Sequence, residues 1–518
     1  MNRWHLKSFI IVLGIILTIS WGSCREDFDY PPSSGNLEFS KDTIFLDTIF
    51  TNIGSSTYSL KVYNRSNQDI LIPFIGLESG QESSYRLNVD GQAGKEFNNV
   101  PLLAKDSLFV FIETTFDIAQ TPENEFLYTE ALFFGTGDER QRVELVTLIK
   151  DAVFLYPNTQ SDGTKETLVL GLDDDGEEIR VEGFFLEPEQ LQFSNEKPYV
   201  IYGYAAVPEN ENLIIDAGAR VHFHTNSGIL ISEGATLNVN GLLSEDQEIL
   251  ENEVIFEGDR LEPSYANISG QWGTIWLREG SANNIISHLT IKNATIGLRV
   301  EGEESQISPT LILKNTQVYN SSNHNLWASS AYIIAENTVL GNSANSSLYV
   351  DLGGTYSFVH CTLANFWSSG PGSGTALLLD NAASLTNGET ITQNLESADF
   401  TNCIIDSNQS IAFLVQRNDN ADFNFGLKNC LLKFNDTSNR FEGNPLFNFE
   451  DIDLYQNVIL NGDSDFTRPF ENQFQIGNNS AAIDVAEPNL SPPILIDILG
   501  VERAPNPDIG AYENTPDN

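Results

Sequence analysis

"LKNTQVYNSS", residues 313–322, carries a pattern that four later stretches repeat: a polar residue, two or three apolar residues and a second small polar residue. The later copies read AENTVLGNSA, VHCTLANFWS, FTNCIIDSNQ and LKNCLLKFND. Alignment on the first polar residue, extended one unit upstream, defines a set that we call the corner column: His288, Asn315, Asn337, His360, Asn402 and Asn429. The intervals along it are 27, 22, 23, 42 and 27 residues.

A period in the low twenties with several short strands per unit is typical of a right-handed parallel β-helix, in which each coil turns corners and stacks on the previous one. Since stacked strands lie about 4.8 Å apart, the corner column predicts a ladder of side chains bonded to each other and to corner backbone. Three residues after each member stands an apolar residue that we expect inside the tube: Ile291, Val318, Leu340, Leu363, Ile405 and Leu432. The long interval predicts an insertion near residues 366–398, a feature that often marks a binding face.

The sequence before the coils also predicts β-strands. Residues 37–150 contain seven short alternating runs between turn residues, which predicts an immunoglobulin-like β-sandwich. We assign residues 151–205 to a connecting β segment with the N-terminal cap of the helix, 206–440 to the parallel β-helix and 441–518 to a C-terminal cap segment. The predicted fold class is therefore all-β.

The first 23 residues have a basic start, an apolar run and small residues ahead of Cys24, the pattern of a secretory signal peptide. Gly22, Ser23 and Cys24 resemble a bacterial lipobox, which implies that Cys24 is lipidated. The acidic run REDFD that follows resembles the surface-export signal of Bacteroidetes lipoproteins, and residues 24–36 read as a tether. We expect an outer-membrane lipoprotein, held by its lipid anchor and facing the cell exterior.

Two further resemblances concern the folded part. From about residue 198, stretches such as PYVIYGYAAV, GARVHFHTNSGILISEGATLNVNG and YSFVHCTLANFW resemble right-handed β-helix surface lipoproteins of the Bacteroidetes. The ending, in which Asp497, Gly500 and Arg503 precede PDIGAYE, looks like the C-terminal segment of a broader class of bacterial β-helix surface proteins. The run YSLKVYNRSNQDILIPFIGLES resembles bacterial sandwich modules of the family first noticed in spindle and ciliary proteins. These resemblances imply fold and location rather than a reaction.

The chain is strongly acidic, with a formal net charge of -45. Such a surface repels phosphate backbones, which argues against nucleic-acid partners, and it attracts Ca²⁺ or cationic partners. The acidic run at residues 173–178 has the chemistry of a Ca²⁺ site without the spacing of a twelve-residue calcium loop, so a solvated turn is the preferred interpretation. We otherwise expect no cofactor.

The sequence lacks the known catalytic signatures of β-helix polysaccharide enzymes. No Asn-Thr-Asp, His-Gly or Arg-Ile-Lys motif occurs, and the Arg503 motif RAPN lies in the terminal segment rather than on a coil. Arg278, Glu279 and Lys292 remain as an alternative cluster for a lyase or hydrolase.

His222 and His224 point to one side of a strand and could hold a metal, but no third ligand is evident, so we expect no metal site there. Cysteines 361, 403 and 430 share one column and predict a stack of buried free thiols, with a disulfide between Cys403 and Cys430 as the alternative. Large aromatics predict either core packing or a sugar-stacking platform: Trp272, Trp276, Tyr319, Trp327, Phe366 and Trp367.

The leading hypothesis from the sequence is a surface lipoprotein whose β-helix binds glycan or a protein partner without catalysis. The alternatives are a polysaccharide-degrading enzyme and a purely structural adhesion component.

Overall fold

The computed structural model describes residues 30–117, 125–172, 176–304, 306–384, 388–503 and 505–515. The chain divides into two compact units, with the boundary at Ile149. Cys24 and the acidic residues 173–175 lie outside the described residues.

The first unit is a β-sandwich of two five-stranded sheets. Alternating apolar residues of both sheets form its core, which includes Leu60, Val110 and Leu145. Sheet 1 contains, in spatial order, Glu38–Phe39, Tyr58–Tyr63, Ser107–Thr114, Tyr85–Val89 and Gln92–Gly94. Sheet 2 contains Thr43–Phe50, Gln141–Lys150, Glu125–Phe134, Ile70–Leu77 and Glu96–Leu102.

The second unit is a parallel β-helix, which confirms the predicted fold class. Each coil supplies one strand to each of three long sheets, called faces A, B and C. Face A has eleven strands: Val153–Leu155, Tyr199–Ile201, Arg220–Phe223, Val254–Gly258, Leu289–Lys292, Gln317–Ser321, Val339–Ser343, Thr362–Asn365, Ile404–Ser407, Leu431–Leu432 and Ile459–Leu460.

Faces B and C have ten strands each. Face B consists of Thr167–Leu172, Glu178–Phe185, Tyr204–Val207, Gly228–Ile231, Ile275–Leu277, Ile296–Glu301, His324–Ser329, Ser346–Asp351, Thr375–Asp380 and Phe413–Gln416. Face C consists of Gln192–Phe193, Asn212–Ile215, Thr236–Asn240, Asn284–Ser287, Leu311–Lys314, Tyr332–Glu336, Gly354–Val359, Leu395–Thr401, Gly426–Lys428 and Tyr455–Gln456. Parallel pairing thus begins at Val153, within the range expected to connect the units.

Short elements complete the chain. The insertion predicted near residues 366–398 consists of a loop before Thr375 and a hairpin, Ala382–Ser384 with Thr390–Thr392. A second hairpin pairs Phe466–Arg468 with Gln473–Ile476. The described helices are single 3₁₀ turns at Gly80–Glu82, Gly137–Glu139, Pro188–Gln190, Pro263–Tyr265, Pro445–Phe447 and Pro469–Glu471. Among the described residues, none of the helices has the length and apolar character to cross a membrane.

The apolar column fills the tube as its spacing predicts. Ile291, Val318 and Leu340 pair in register on successive strands of face A, and each is fully buried. Leu363, Ile405 and Leu432 continue the same row. Burying each such side chain contributes roughly 1.5–3 kcal/mol, so this row is a main source of stability along the tube.

The corner column lies between faces C and A. All six of its members have left-handed backbone, with φ between 46° and 55°. Asn adopts this conformation more readily than most residues, which explains why the sequence repeats it at this corner. Asn337 Nδ2 donates to Asn315 Oδ1 at 3.0 Å, and Asn402 Nδ2 lies 2.9 Å from His360 Nε2.

Residues 462–515, the C-terminal segment, return along the outer surface of face A. Apolar residues of the segment such as Phe474 and Tyr512 pack on Val339 and Ala364. The corner column binds this segment as well as its own coils, because Asn337 Nδ2 also donates to the Ile496 carbonyl at 3.0 Å. The segment thereby covers the outside of several coils.

Candidate functional site

Two cavities lie at the corner between faces B and C, with volumes of about 400 Å³ and 300 Å³. Glu303 lines both, so we treat them as one groove. The first cavity is lined by Leu168, Val169, Phe185, Ala206, Glu209, Leu230, Ser232, Glu233, Arg278, Glu279, Gly280 and Glu303. The second is lined by Glu303, Glu304, Gln306, Ser330, Ala331, Tyr332, Gly354, Thr355, Gln393, Asn394 and Glu396.

The groove follows the helix axis because its residues come from the same turn of successive coils. Val207, Ile231 and Leu277 pair in register on face B. The residues two positions later, Glu209, Glu233 and Glu279, therefore follow one another in steps of about 4.8 Å. From the coil of Glu209 to that of Asn394 the groove passes six such steps, a length of about 30 Å.

One wall of the groove is apolar. The first two strands of face B, Thr167–Leu172 and Glu178–Phe185, form an antiparallel hairpin at its end, and Leu168 packs there against Ala206 and Leu230. Arg278 Nη2 holds the hairpin by donating to the Leu170 carbonyl at 2.9 Å. Phe185 remains 53% exposed beside the cavity. The hairpin thus places an exposed aromatic ring next to a row of carboxylates.

The rest of the lining consists largely of hydrogen-bond acceptors. Six carboxylates line it, against one cation, Arg278, among the described lining residues: Glu209, Glu233, Glu279, Glu303, Glu304 and Glu396. The side-chain amides of Gln306, Gln393 and Asn394 supply both donors and acceptors. Carboxylates and amides bind hydroxyl groups well, whereas this charge repels an anionic ligand.

The second cavity is held in place by contacts that cross coils. Ser330, whose φ is +52°, hydrogen-bonds the side chain of Gln393. The backbone N–H of Gln393 donates to the Asn381 carbonyl at 3.0 Å, next to the hairpin of the insertion. The insertion therefore helps to position one end of the groove.

The outer surface of face B carries a stripe of aromatic and cationic side chains beside the groove. Trp276, Arg299, Trp327 and Tyr349 follow one another in register on neighbouring strands. The Arg299 guanidinium lies 4.3 Å from the ring centroid of Trp276 and 4.9 Å from that of Trp327. Because these neighbours cover ring faces, the stripe presents little aromatic face for a sugar to stack on.

The six aromatics proposed as a platform do not come together. Trp276 and Trp327 share the stripe, whereas Trp272 stacks on Phe223 in the core at 4.2 Å between centroids. Phe366 packs on residues of the C-terminal segment. Phe366 and Trp367 line a separate cavity of about 50 Å³, and Tyr319 pairs in register with Lys292 on face A. The six rings therefore do not form one platform.

Asp351 and Asp380 are the two carboxylates to consider as a catalytic acid and base, because they end neighbouring strands of face B. Burial raises the pKa of both carboxyl groups. Asp351 is only 5% exposed, and its oxygens accept from the Ser329 hydroxyl and from Trp327 Nε1. With both oxygens occupied and so little exposure, Asp351 is placed to hold its neighbours rather than to reach a substrate.

The cluster suggested for an enzyme is also divided. Arg278 and Glu279 line the groove, but Lys292 lies on face A, where its Nζ is 2.6 Å from Glu257 Oε2. Glu257 also faces His222, whose pKa burial lowers. This group is a partly exposed ion-pair network on the outer side of face A, and the proposal that Arg278, Glu279 and Lys292 act together is wrong.

The histidines and cysteines considered as metal or disulfide sites make contacts within the fold. His222 is buried, whereas His224 is about half exposed and lies 2.7 Å from Asp259 Oδ2 through Nδ1. Among the described residues, no three His, Cys, Asp or Glu side chains are arranged to hold a metal ion. Cys361, Cys403 and Cys430, the core cysteine stack, are free thiols buried inside the tube.

No protein-family model and no curated protein matches the chain. Among solved structures, the catalytic domain of a GH87 alpha-1,3-glucanase in complex with tetrasaccharides aligns at 9% identity over 74% of this chain and 81% of that chain, with a TM-score of 0.18. The ASH/PapD-like domain of human CEP192 aligns at 11% identity over 25% of this chain and 92% of that chain, with a TM-score of 0.16.

A family 123 glycoside hydrolase from Clostridium perfringens aligns at 7% identity, with a TM-score of 0.15; the match covers 22% of this chain and 26% of that one. Alignments this weak carry no argument about activity.

Sequence reasoning missed the groove itself. Its carboxylates stand in PENE, SEGA and REGS, three turns that each place Glu two residues after a buried apolar residue. That repetition is a readable signal once the coil register is known. No comparable sequence pattern predicts the apolar wall of the groove, because the position of its hairpin depends on contacts with distant residues of face B.

Proposed function

We propose that this protein is a surface-exposed outer-membrane lipoprotein that binds an extended neutral glycan along the groove and does not cleave it. The observation that carries the proposal is the groove itself, an acceptor-rich channel of about 30 Å beside an exposed aromatic ring. Its length suits a chain of several sugars rather than a small ligand. Its carboxylates favour hydroxyl-rich, uncharged sugars over acidic ones.

The test is binding to neutral polysaccharides, namely laminarin, xyloglucan, mannan and dextran, by affinity electrophoresis. We expect retention by at least one of them. The double change Glu233→Gln with Glu279→Gln, and separately Phe185→Ala, should each weaken retention about tenfold, the scale of one or two lost hydrogen bonds or one lost ring contact. Glu442→Gln changes an exposed carboxylate outside the groove and should leave retention unaltered. Absence of retention by the whole panel would refute the proposal.

The second candidate is a polysaccharide hydrolase that uses Asp351 and Asp380, favoured by their adjacency and their raised pKa values. Incubation of the protein with the same panel decides between the two. Release of reducing ends that is lost in Asp351→Asn would establish the hydrolase, and retention without new reducing ends would support binding alone.

The proposed location in the cell is tested separately. Cys24→Ser should release the protein from membranes, since it removes the acylated residue that the sequence implies. External protease should digest the wild-type protein on intact cells. Full protection would place it on the inner side of the outer membrane.

A further inference from the structure

A small cavity lies where strands of face A turn towards face B, a different corner from that of the groove. We call it the loop cavity, and its volume is about 50 Å³. It is lined by Asn267, Asn320, Asn342, Phe366, Trp367, Ser368, Ser369, Phe470 and Asn472. These residues come from separate stretches of the chain that are distant in sequence. Convergence of several loops on a rigid scaffold is typical of a binding site.

The lining of the loop cavity is uncharged, in a chain whose formal net charge is -45. Four of its nine side chains are amides, two are hydroxyls and three are aromatic rings. Glu471 stands between Phe470 and Asn472, but its carboxylate lies 3.2 Å from the guanidinium of Arg468, which balances its charge. Amides and hydroxyls both donate and accept hydrogen bonds, as the hydroxyls of a sugar do. The loop cavity therefore suits a neutral, hydroxyl-rich ligand rather than an ion.

Buried asparagines of the coils hold the loops of this cavity. Asn293 Nδ2 donates to the Ala266 carbonyl at 3.0 Å, in the loop that supplies the first lining residue. Asn342 Nδ2 donates to the Pro469 carbonyl at 2.7 Å, and Asn342 Oδ1 accepts from the backbone N–H of Phe366 at 2.7 Å. Because the walls are fixed before a ligand arrives, little ordering entropy is lost on binding.

One amide oxygen of this asparagine row has no partner. Asn293, Asn320, Asn342 and Asn365 stand at or next to the ends of successive strands of face A. The side-chain oxygens of Asn293, Asn342 and Asn365 each accept a hydrogen bond. Asn320 is only 5% exposed, and its Nδ2 donates to Asn293, but its Oδ1 accepts nothing from the described residues and remains accessible. Since Asn320 lines the cavity, a ligand hydroxyl can satisfy this oxygen.

Aromatic rings flank the polar part of the cavity. Phe470 is 59% exposed, and its ring meets that of Phe366 edge to face, with centroids 5.7 Å apart. Trp367 is partly exposed, and its Nε1 already donates to the Gly370 carbonyl at 3.0 Å, so it offers apolar surface rather than a donor. Exposed rings beside amides complement a sugar, which has an apolar face and a polar rim.

We infer that the loop cavity is a second carbohydrate site, which binds a single neutral sugar unit. Its volume accommodates a few water-sized groups, so it takes the hydroxyls along one edge of the sugar while Phe470 contacts the apolar face. Asn320 Oδ1 accepts one hydroxyl, and Asn267 bonds its neighbours. The groove lies along another corner and binds a chain, so this site does not depend on the function proposed above.

The experiment titrates the protein against glucose, galactose, mannose and N-acetylglucosamine, with binding measured by saturation-transfer NMR of each sugar. We expect at least one to bind saturably with a dissociation constant of roughly 1 mM, the scale for a ligand of about a dozen non-hydrogen atoms. Phe470→Ala should weaken that binding about tenfold and Asn267→Ala about fivefold, from the loss of one ring contact and one hydrogen bond. Phe45→Ala removes a phenylalanine that is 64% exposed on sheet 2 and is the matched control, expected to bind as the wild type does.

Folding of each variant is checked by its thermal unfolding, which changes at exposed positions should alter little. The inference is overturned if none of the four sugars binds, or if the Phe470 and Asn267 variants bind like Phe45→Ala. It is also overturned if Phe185→Ala, rather than these two variants, weakens the binding, since the sugar would then lie in the groove.

Discussion

Replacement of Asn337 by Ala tests the architecture at its most connected corner. The Asn337 side chain is 4% exposed and joins three partners. Its Nδ2 donates to Asn315 Oδ1 and to the Ile496 carbonyl, and its Oδ1 accepts from Arg503 Nη2 at 2.9 Å. The backbone is left-handed, with φ of +47°. Ala removes all three bonds and places a side chain that disfavours this φ at the corner.

The expected loss follows from these terms. A buried hydrogen bond contributes about 1 kcal/mol net, so three contribute about 3 kcal/mol. The left-handed backbone costs Ala about 1 kcal/mol more than Asn. We expect Asn337→Ala to lower the free energy of unfolding of the β-helix by about 3–4 kcal/mol. Asn439, at φ of +54° with an exposed side chain, isolates the backbone contribution, so Asn439→Ala should cost about 1 kcal/mol.

Urea unfolding followed by tryptophan fluorescence is the assay. The four tryptophans beyond residue 23 lie at positions 272, 276, 327 and 367, all in the β-helix unit, so the signal reports that unit and not the sandwich. Asn337→Gly should be about 1 kcal/mol more stable than Asn337→Ala, because glycine accepts the left-handed backbone. If Asn337→Ala costs no more than Asn439→Ala, the ladder bonds contribute nothing and the reasoning fails.

Three further outcomes are expected. Burial lowers the pKa of His360 to about 3, so the folded state keeps it neutral while the unfolded chain takes up a proton below its ordinary pKa of about 6.5. Neutral His360 therefore costs the folded state stability as the pH falls from about 6.5 towards 3, and the loss is about 2 kcal/mol at pH 5. The free energy of unfolding of His360→Asn, measured in urea, should not show this part of the pH dependence. Lys292→Met removes the nearest ion-pair partner of Glu257, whose side chain is 23% exposed, and should lower the free energy of unfolding by about 1–2 kcal/mol, between the costs of an exposed and a fully buried pair. The double variant that adds Glu257→Gln should recover part of this loss; equal stability of the single variant and wild type would contradict the expectation. The core cysteine stack should react with a maleimide reagent only after denaturation, measured by mass spectrometry, and rapid labelling of the native protein would show that the tube is open there.

The repeat could be predicted because two local preferences coincide in the same residues. Asn at a corner satisfies a left-handed backbone, and an apolar residue three positions later falls inside the tube. Both preferences act within a few residues, so they leave a periodic mark in the sequence. The start of the β-helix was harder to predict from the sequence, because the first strands near Val153 pair in parallel without a residue in the corner column.

The functional surfaces depend on contacts between distant residues. Arg278 and Lys292 are only 14 positions apart, yet Arg278 lies in the groove and Lys292 on face A, so their closeness in the sequence led to a wrong cluster. Phe109 and Phe111 belong to the sandwich strand Ser107–Thr114, whose alternation was evident in the sequence, but which side of the strand stays exposed depended on the second sheet.

By itself, the sequence determined the solenoid, the identity of its corner residues and the apolar row that fills it, since each follows from backbone preference and from side-chain direction repeated once per coil. Only the tertiary structure decided what covers each face: the C-terminal segment on face A, the hairpin at one end of face B, and solvent along the groove. The physical reason is that a face is covered by the distant segment that buries the most apolar surface on it. No local sequence pattern determines which segment that is.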